Sequence, residues 1–158
     1  MESKAALKRE LLVLLRRDLA LAEKAHKATL AGVTHEEAKP ENDTDTRALE
    51  QSYLARGQAV RVEELREGVV LVDAMSLREG AGEARAALGS LVRVLEADRE
   101  TTYWIAAYGG GGELSNKEVH VVTPKSPMGR ALIGKSEGDE VEVSIAGKLR
   151  TLEVVSVG

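Results

Sequence analysis

Residues 4–31 contain neither proline nor glycine, and within them Leu12, Leu15, Leu19, Ala22, His26 and Thr29 recur at 3-4-3-4-3 spacing. That spacing keeps one stripe on one side of an α-helix, the seam along which two helices pack. Leu7, Leu11 and Leu14 widen the stripe near its start. Gly32, free to take the left-handed conformation, is expected to end the helix. A second helix is predicted from near Asn42. Asn42 is a good N-cap, and Asp43 and Asp45 fall in the first turn, where the helix dipole favours negative charge. Ala48, Ser52, Ala55, Ala59 and Val62 repeat the 3-4 spacing with small residues that allow close approach. This helix is expected to reach about Leu77, with Gly57 weakening it and Gly68 a weak point or an early end. About ten residues join the two helices, so they fold back as an antiparallel hairpin with arms of ~30 Å. Its tip, at about 33–45, lies in a stretch, EEAKPENDTDTRALEQ (36–51), that holds six carboxylates.

Past REGAGEARAALG (78–89), a linker of small residues, the apolar period changes from 3.6 to 2. SLVRVLEAD and TTYWIAAY read as strands joined by a turn at Arg99–Glu100, GGGG (109–112) as a flexible loop, and KEVHVVTP as a third strand. SPMGRALIG reads as a short helix with Ser126 as N-cap, Pro127 at the first helical position and Gly134 past its end. DEVEVSIAGKLRTLEVVSV is a hairpin across Ala146-Gly147. The fold class is α+β: a helical hairpin (1–78), a linker (79–88), and a small antiparallel sheet domain with one helix (89–158). With no Phe and a single Trp, the core must be built from Leu, Val and Ala.

The absence of cysteine excludes disulfides, thiolate metal sites and cysteine nucleophiles, and suits a reducing cytoplasm. The N-terminus is not a signal peptide, and no uncharged apolar run is long enough to cross a bilayer. A net charge of −4 argues against nucleic-acid binding through overall charge, while allowing local basic stripes. Arg16, Arg17, Lys24, Lys27, Arg47, Arg56 and Arg61 are either such a stripe or the solvated faces of two helices. His35 and His120 lack metal-ligand spacing, and His26 reads as a packing residue on the seam. The four glycines are followed by a strand and no Lys-Ser/Thr, so they are no phosphate loop.

VVTPKSPMGRALIGKSEGDEVEV (121–143) carries the pattern S-P-x-G-x-A-L-x-G-x-x-x-G-D-x-V-x-V through Ser126, Pro127, Gly129, Ala131, Leu132, Gly134, Gly138, Asp139, Val141 and Val143. This resembles the C-terminal domain of the Gre transcript cleavage factors, GreA and GreB, and relatives such as the Rnk proteins. The N-terminal half is similar too: Glu41-Asn42 and Glu50-Gln51 match the acidic tip motif of the family's coiled coil, and Gly57 falls on a family glycine. The resemblance implies an FKBP-like C-terminal domain that docks on RNA polymerase at its secondary channel, through Thr123, Lys125, Ser126 and Pro127. It further implies that the coiled coil enters the channel. There the tip residues Glu41, Glu37 and Asp43, shaped by Pro40 and Asn42, help hold a Mg²⁺ shared with the polymerase active site. The polymerase then hydrolyses the nascent RNA 3′ end; the factor binds no stable metal, cofactor or small-molecule substrate of its own and has no nuclease activity of its own.

Two departures from the family pattern matter. Ala38 stands where the family has Asp, so Glu37 must substitute if two carboxylates are needed. Glu37 also fits a capping box with Thr34, which competes with that role. Lys125 stands where the family's docking loops carry Asp or Asn. Two rival readings follow: a channel-binding regulator without strong cleavage, and, from the FKBP-like domain, a peptidyl-prolyl isomerase. The latter needs an aromatic cluster, whereas Tyr103 and Trp104 are adjacent on a strand and face opposite sides.

Overall fold

The computed structural model describes residues 3–37, 46–77 and 85–158. Helix α1 spans Lys4–Glu37 and α2 spans Thr46–Ala74. Helix α1 does not stop at Gly32. Once a helix is nucleated each further residue adds a hydrogen bond, and residues 33–37 include no proline. Glu37 is the last described residue of α1. Residues 34–37 therefore continue a helix rather than begin one. A capping box requires a first turn, so the Thr34–Glu37 box does not form. Helix α2 runs through both Gly57 and Gly68 and ends at Ala74, three residues short of the expected Leu77.

The chain divides into two compact units, 13–69 and 1–12 with 70–158. In the first, the helices run antiparallel: Arg66 pairs with Glu23 at 3.2 Å, and Gly32 approaches Gln51. The expected seam is the buried one. Leu15, Ala55 and Val62 are at most 8 % exposed, and His26 is half-buried among them. All seven arginines and lysines of the proposed basic stripe are exposed. Arg17 and Arg61 have acidic neighbours at 3.9 Å.

The second unit is a six-stranded sheet with one short helix. In chain order the elements are β1 (Leu91–Glu96), β2 (Arg99–Ile105), β3 (Glu113–Leu114), β4 (Val119–Val122), α3 (Pro127–Leu132), β5 (Glu140–Ile145) and β6 (Lys148–Val157). Their order in the sheet is β3-β4-β2-β1-β6-β5. The β1–β2 turn lies at Ala97-Asp98, two residues earlier than expected. Both residues take positive φ, 46° and 65°, as do Ala146 and Gly147 in the β5–β6 turn, 52° and 78°. Such mirror-image turns follow the right-handed twist of the strands they join. The sheet is mixed: β4 lies parallel to β2, with Tyr103 opposite His120. The connection containing GGGG and β3 supplies the crossover that a parallel pair needs. The glycine loop is hydrogen-bonded, Gly112 N–H to Gly109 O at 3.1 Å and Gly111 N–H to Val121 O at 2.9 Å.

Strand alternation sends Val92, Val94, Tyr103, Ile105, Val122, Val141, Val143, Leu152 and Val154 to one face, where Met128 and Leu132 of α3 complete the core. Trp104 points the other way, fully buried, its Nε1–H donating to Gly89 O at 3.2 Å. The start of α1 is fastened to this unit. Lys8 Nζ donates to Asp73 O and Met75 O, and the Glu10 carboxylate accepts from Ser115 N–H. At the near end of the small-residue linker, Ala86 is buried and exchanges backbone hydrogen bonds with Gly134 and Lys135.

Candidate functional site

The four residues assigned to docking form one structure, the turn into α3. Ser126 has extended backbone (φ −73°, ψ 153°) and caps the helix. Its Oγ accepts from Gly129 N–H at 3.1 Å and Thr123 N–H at 3.2 Å, and donates to Thr123 O at 2.8 Å. Ser126 N–H donates to the same Thr123 carbonyl. Thr123 and Ser126 thus lock the turn and are half-buried, whereas Lys125 and Pro127 are exposed at its crest. Arg130 reaches back to donate to Lys125 O at 2.9 Å.

Beside this turn lies a cleft of about 410 Å³, bounded by Ser126, Pro127 and Met128 on one side and by the sheet on the other. The period of two makes it. Arg99, Thr101 and Tyr103 of β2 share a face with His120 and Val122 of β4, with Ile145 of β5 and with Arg150 of β6. Helix α3 covers one end of that face, and the cleft is the end it leaves open. The Glu96 carboxylate accepts from Arg150 Nε at 3.0 Å and Nη2 at 2.6 Å. These bonds hold the Glu96 carboxyl below its ordinary value and push the Arg150 guanidinium, which also interacts with Tyr103, above its own. His120 faces Glu113 at 3.9 Å, with its ring 5.9 Å from that of Tyr103. The strand residues of the cleft were not assigned a role from sequence. Alternation put Thr101 and Tyr103 on one face; Arg99, expected in the turn, joins them because β2 starts there, and the pairing with His120 and Arg150 needed the sheet order.

Of the expected tip residues, Glu37 closes α1, while Pro40, Glu41, Asn42 and Asp43 lie outside the described residues. Among the described residues no group of three or more His, Asp or Glu could hold a metal ion, and no helix is long and apolar enough to cross a membrane.

The family described as "Transcription elongation factor, GreA/GreB, C-term" matches residues 81–158. The GreA of Syntrophus aciditrophicus is 33 % identical over 119 residues, covering 74 % of this chain and 69 % of that protein. The GreA of Cereibacter sphaeroides is 36 % identical over 99 residues, which is 61 % of this chain; the match spans only 62 % of that relative's length. Among solved structures, Thermus aquaticus Gfh1 aligns over 98 % of this chain and 95 % of its own, at 23 % identity and a TM-score of 0.41. On the strength of its sequence relatives, this chain belongs to the GreA/GreB family of transcription elongation factors.

Proposed function

We propose that this protein binds RNA polymerase at its secondary channel through the α3 turn, inserts the helical hairpin, and stimulates cleavage of backtracked transcripts. One observation carries the reading: a GreA/GreB chain places Glu41 and Asp43 in the segment that joins two long antiparallel helices. Glu41, with Glu37 substituting for the Asp that Ala38 replaces, offers oxygen to a Mg²⁺ held jointly with the polymerase; carboxylate oxygens suit that hard ion. When bound there, Mg²⁺ favours hydrolysis at the nascent RNA 3′ end. In this reading the protein acts in the cytoplasm as an accessory to another enzyme's active site.

Ala38 favours a second reading, a factor that occupies the channel and modulates elongation without strong cleavage. A backtracked polymerase complex, assayed for RNA cleavage with and without the protein, separates the two. Glu41→Gln keeps shape and removes charge. It abolishes stimulated cleavage while leaving affinity for polymerase intact, and Ala38→Asp raises cleavage. If Glu41→Gln cleaves as well as the unaltered chain, the tip does not assist the metal and the hairpin is a plug. The isomerase reading lacks support: of Tyr103, Trp104 and Tyr108, only Tyr103 lines the cleft.

A further inference from the structure

We propose that the cleft beside α3 seats an apolar protein segment that carries a carboxylate, and that Arg99 holds the acid. This rests on the reading of the domain as a docking module and specifies the chemistry of what it docks. The cleft wall contains two arginines and a histidine but no carboxylate, in a chain whose net charge is −4. Two of these three side chains are already engaged. Arg150 is bound by Glu96 through Nε and Nη2, and His120 faces Glu113. Arg99 is exposed and has no ion pair among the described residues. Lys125, on the neighbouring turn, is exposed and offers a second positive charge.

Tyr103, Ile145 and Pro127 give the rest of the cleft an apolar wall. Arg99 stands four residues along β2 from Tyr103, ~13 Å in strand geometry. The fitting occupant is an extended segment with an apolar side chain and, about four residues on, an Asp or Glu. A nucleic-acid strand fits less well. Tyr103 is only 9 % exposed, so its ring face is not open for a base to stack on.

The test uses the full chain and two probes, acetyl-Leu-Thr-Pro-Thr-Glu-amide and its Gln counterpart, followed by amide NMR shifts of Arg99, Gly110, Gly111 and Val121. The Glu peptide is expected to bind about tenfold more tightly, the usual margin of a charge-assisted hydrogen bond over a neutral one. Arg99→Gln erases that margin without altering the affinity for the Gln peptide or the melting temperature. Equal affinities for the two peptides, no cleft shifts with either, or displacement by oligothymidylate overturn the proposal. Arg99→Glu is then compared with the unaltered chain for binding to core RNA polymerase. If the unaltered chain binds and Arg99→Glu weakens it tenfold or more, the inference stands in the assembly. If both bind equally, the carboxylate inference fails while docking survives. If the unaltered chain does not bind, the docking reading fails, and the peptide preference decides the cleft's chemistry alone.

Discussion

Replacing Gly129 by alanine tests the packing of the α3 turn, because two known effects oppose each other there. Inside a helix, Gly→Ala ordinarily stabilises by ~1 kcal/mol. At Gly129, however, an added Cβ falls 1.8 Å from the Thr123 carbonyl oxygen, 2.7 Å from its carbon and 2.9 Å from Ser126 Oγ. Non-bonded approaches of a Cβ under 3.0 Å are essentially never seen, so the carbonyl has to retreat by more than an ångström. That carbonyl accepts both Ser126 N–H and Ser126 Oγ–H, so its retreat breaks the cap. Overpacking costs about 1–3 kcal/mol, the lost cap ~1 and the lost hydrogen bonds ~1 each. Set against the propensity gain, the net loss is about 3–5 kcal/mol. For a unit of ~100 residues that lowers Tm by roughly 15–25 °C. Trp104 is the sole tryptophan and is fully buried in this unit, so its fluorescence reports the transition. Ser126→Ala, which loses the cap and the Oγ–H bond to Thr123 O without the clash, is expected to cost about 2 kcal/mol, or roughly 10 °C. A Gly129→Ala protein that melts within about 2 °C of the unaltered chain refutes the reasoning, since the turn would then yield at no cost.

Gly57 is the converse case: an added Cβ meets nothing within 4 Å, so Gly57→Ala should stabilise the hairpin by ~0.5–1 kcal/mol, read from its helical circular dichroism on heating. Leu15→Asp places an unpaired charge at a seam position only 5 % exposed and should cost the hairpin at least about 3 kcal/mol; unchanged helicity and Tm would show that the seam is assigned wrongly. Glu96 has its carboxyl depressed below 4.5 by hydrogen bonding to Arg150, so the pair's contribution is complete above 4.5 and is lost as pH falls through the lower, folded-state value. The Tm difference between the unaltered chain and Glu96→Gln should therefore stay constant from neutrality down to about 4.5 and shrink below it. Because both side chains are about a third exposed, the difference should be small and fall further with added salt; a gap that widens in acid contradicts the assignment.

Periodicity made most of the fold legible. The 3-4 seam and the period-two strands specify which side chains are buried, and burial is what those patterns encode. Failures came where backbone geometry or distant pairing decides. Ala97-Asp98 adopts a turn that Asn-Gly or Asp-Gly would have advertised, so the hairpin sits two residues from its expected place. Gly32 carries no positive φ; a glycine permits a helix end without requiring one. The parallel β2–β4 pairing depends on a crossover whose only strand, β3, is two residues long and leaves no periodic signal. The cleft is built from residues as far apart as Arg99 and Arg150, which only the sheet order brings onto one wall.

The motif that carries the family resemblance is mostly a folding motif. Ser126 caps α3, and Gly129 leaves room for the Thr123 carbonyl. Leu132, Val141 and Val143 are core, with Ala131 packed against it. Gly134 and Gly138 take φ of +85° and +87°, and Asp139 Oδ2 accepts from Ser136 N–H. Each of these residues is needed to form the turn, the helix or the sheet, whatever the domain binds. Pro127, exposed like Gly134, Gly138 and Asp139, is likewise well placed at the first turn of a helix, where its missing N–H costs nothing. The motif therefore certifies the fold, and the choice of partner must reside in exposed positions that the fold leaves free. Lys125 and Arg99 are such positions, beside a cleft whose shape the motif fixes. A change of side chain at Lys125 thus leaves every hydrogen bond of the turn in place, since only its backbone carbonyl takes part. The acidic segment inferred for the cleft follows from that separation: scaffold and specificity occupy different residues of the same domain, and only the second can change without unfolding the first.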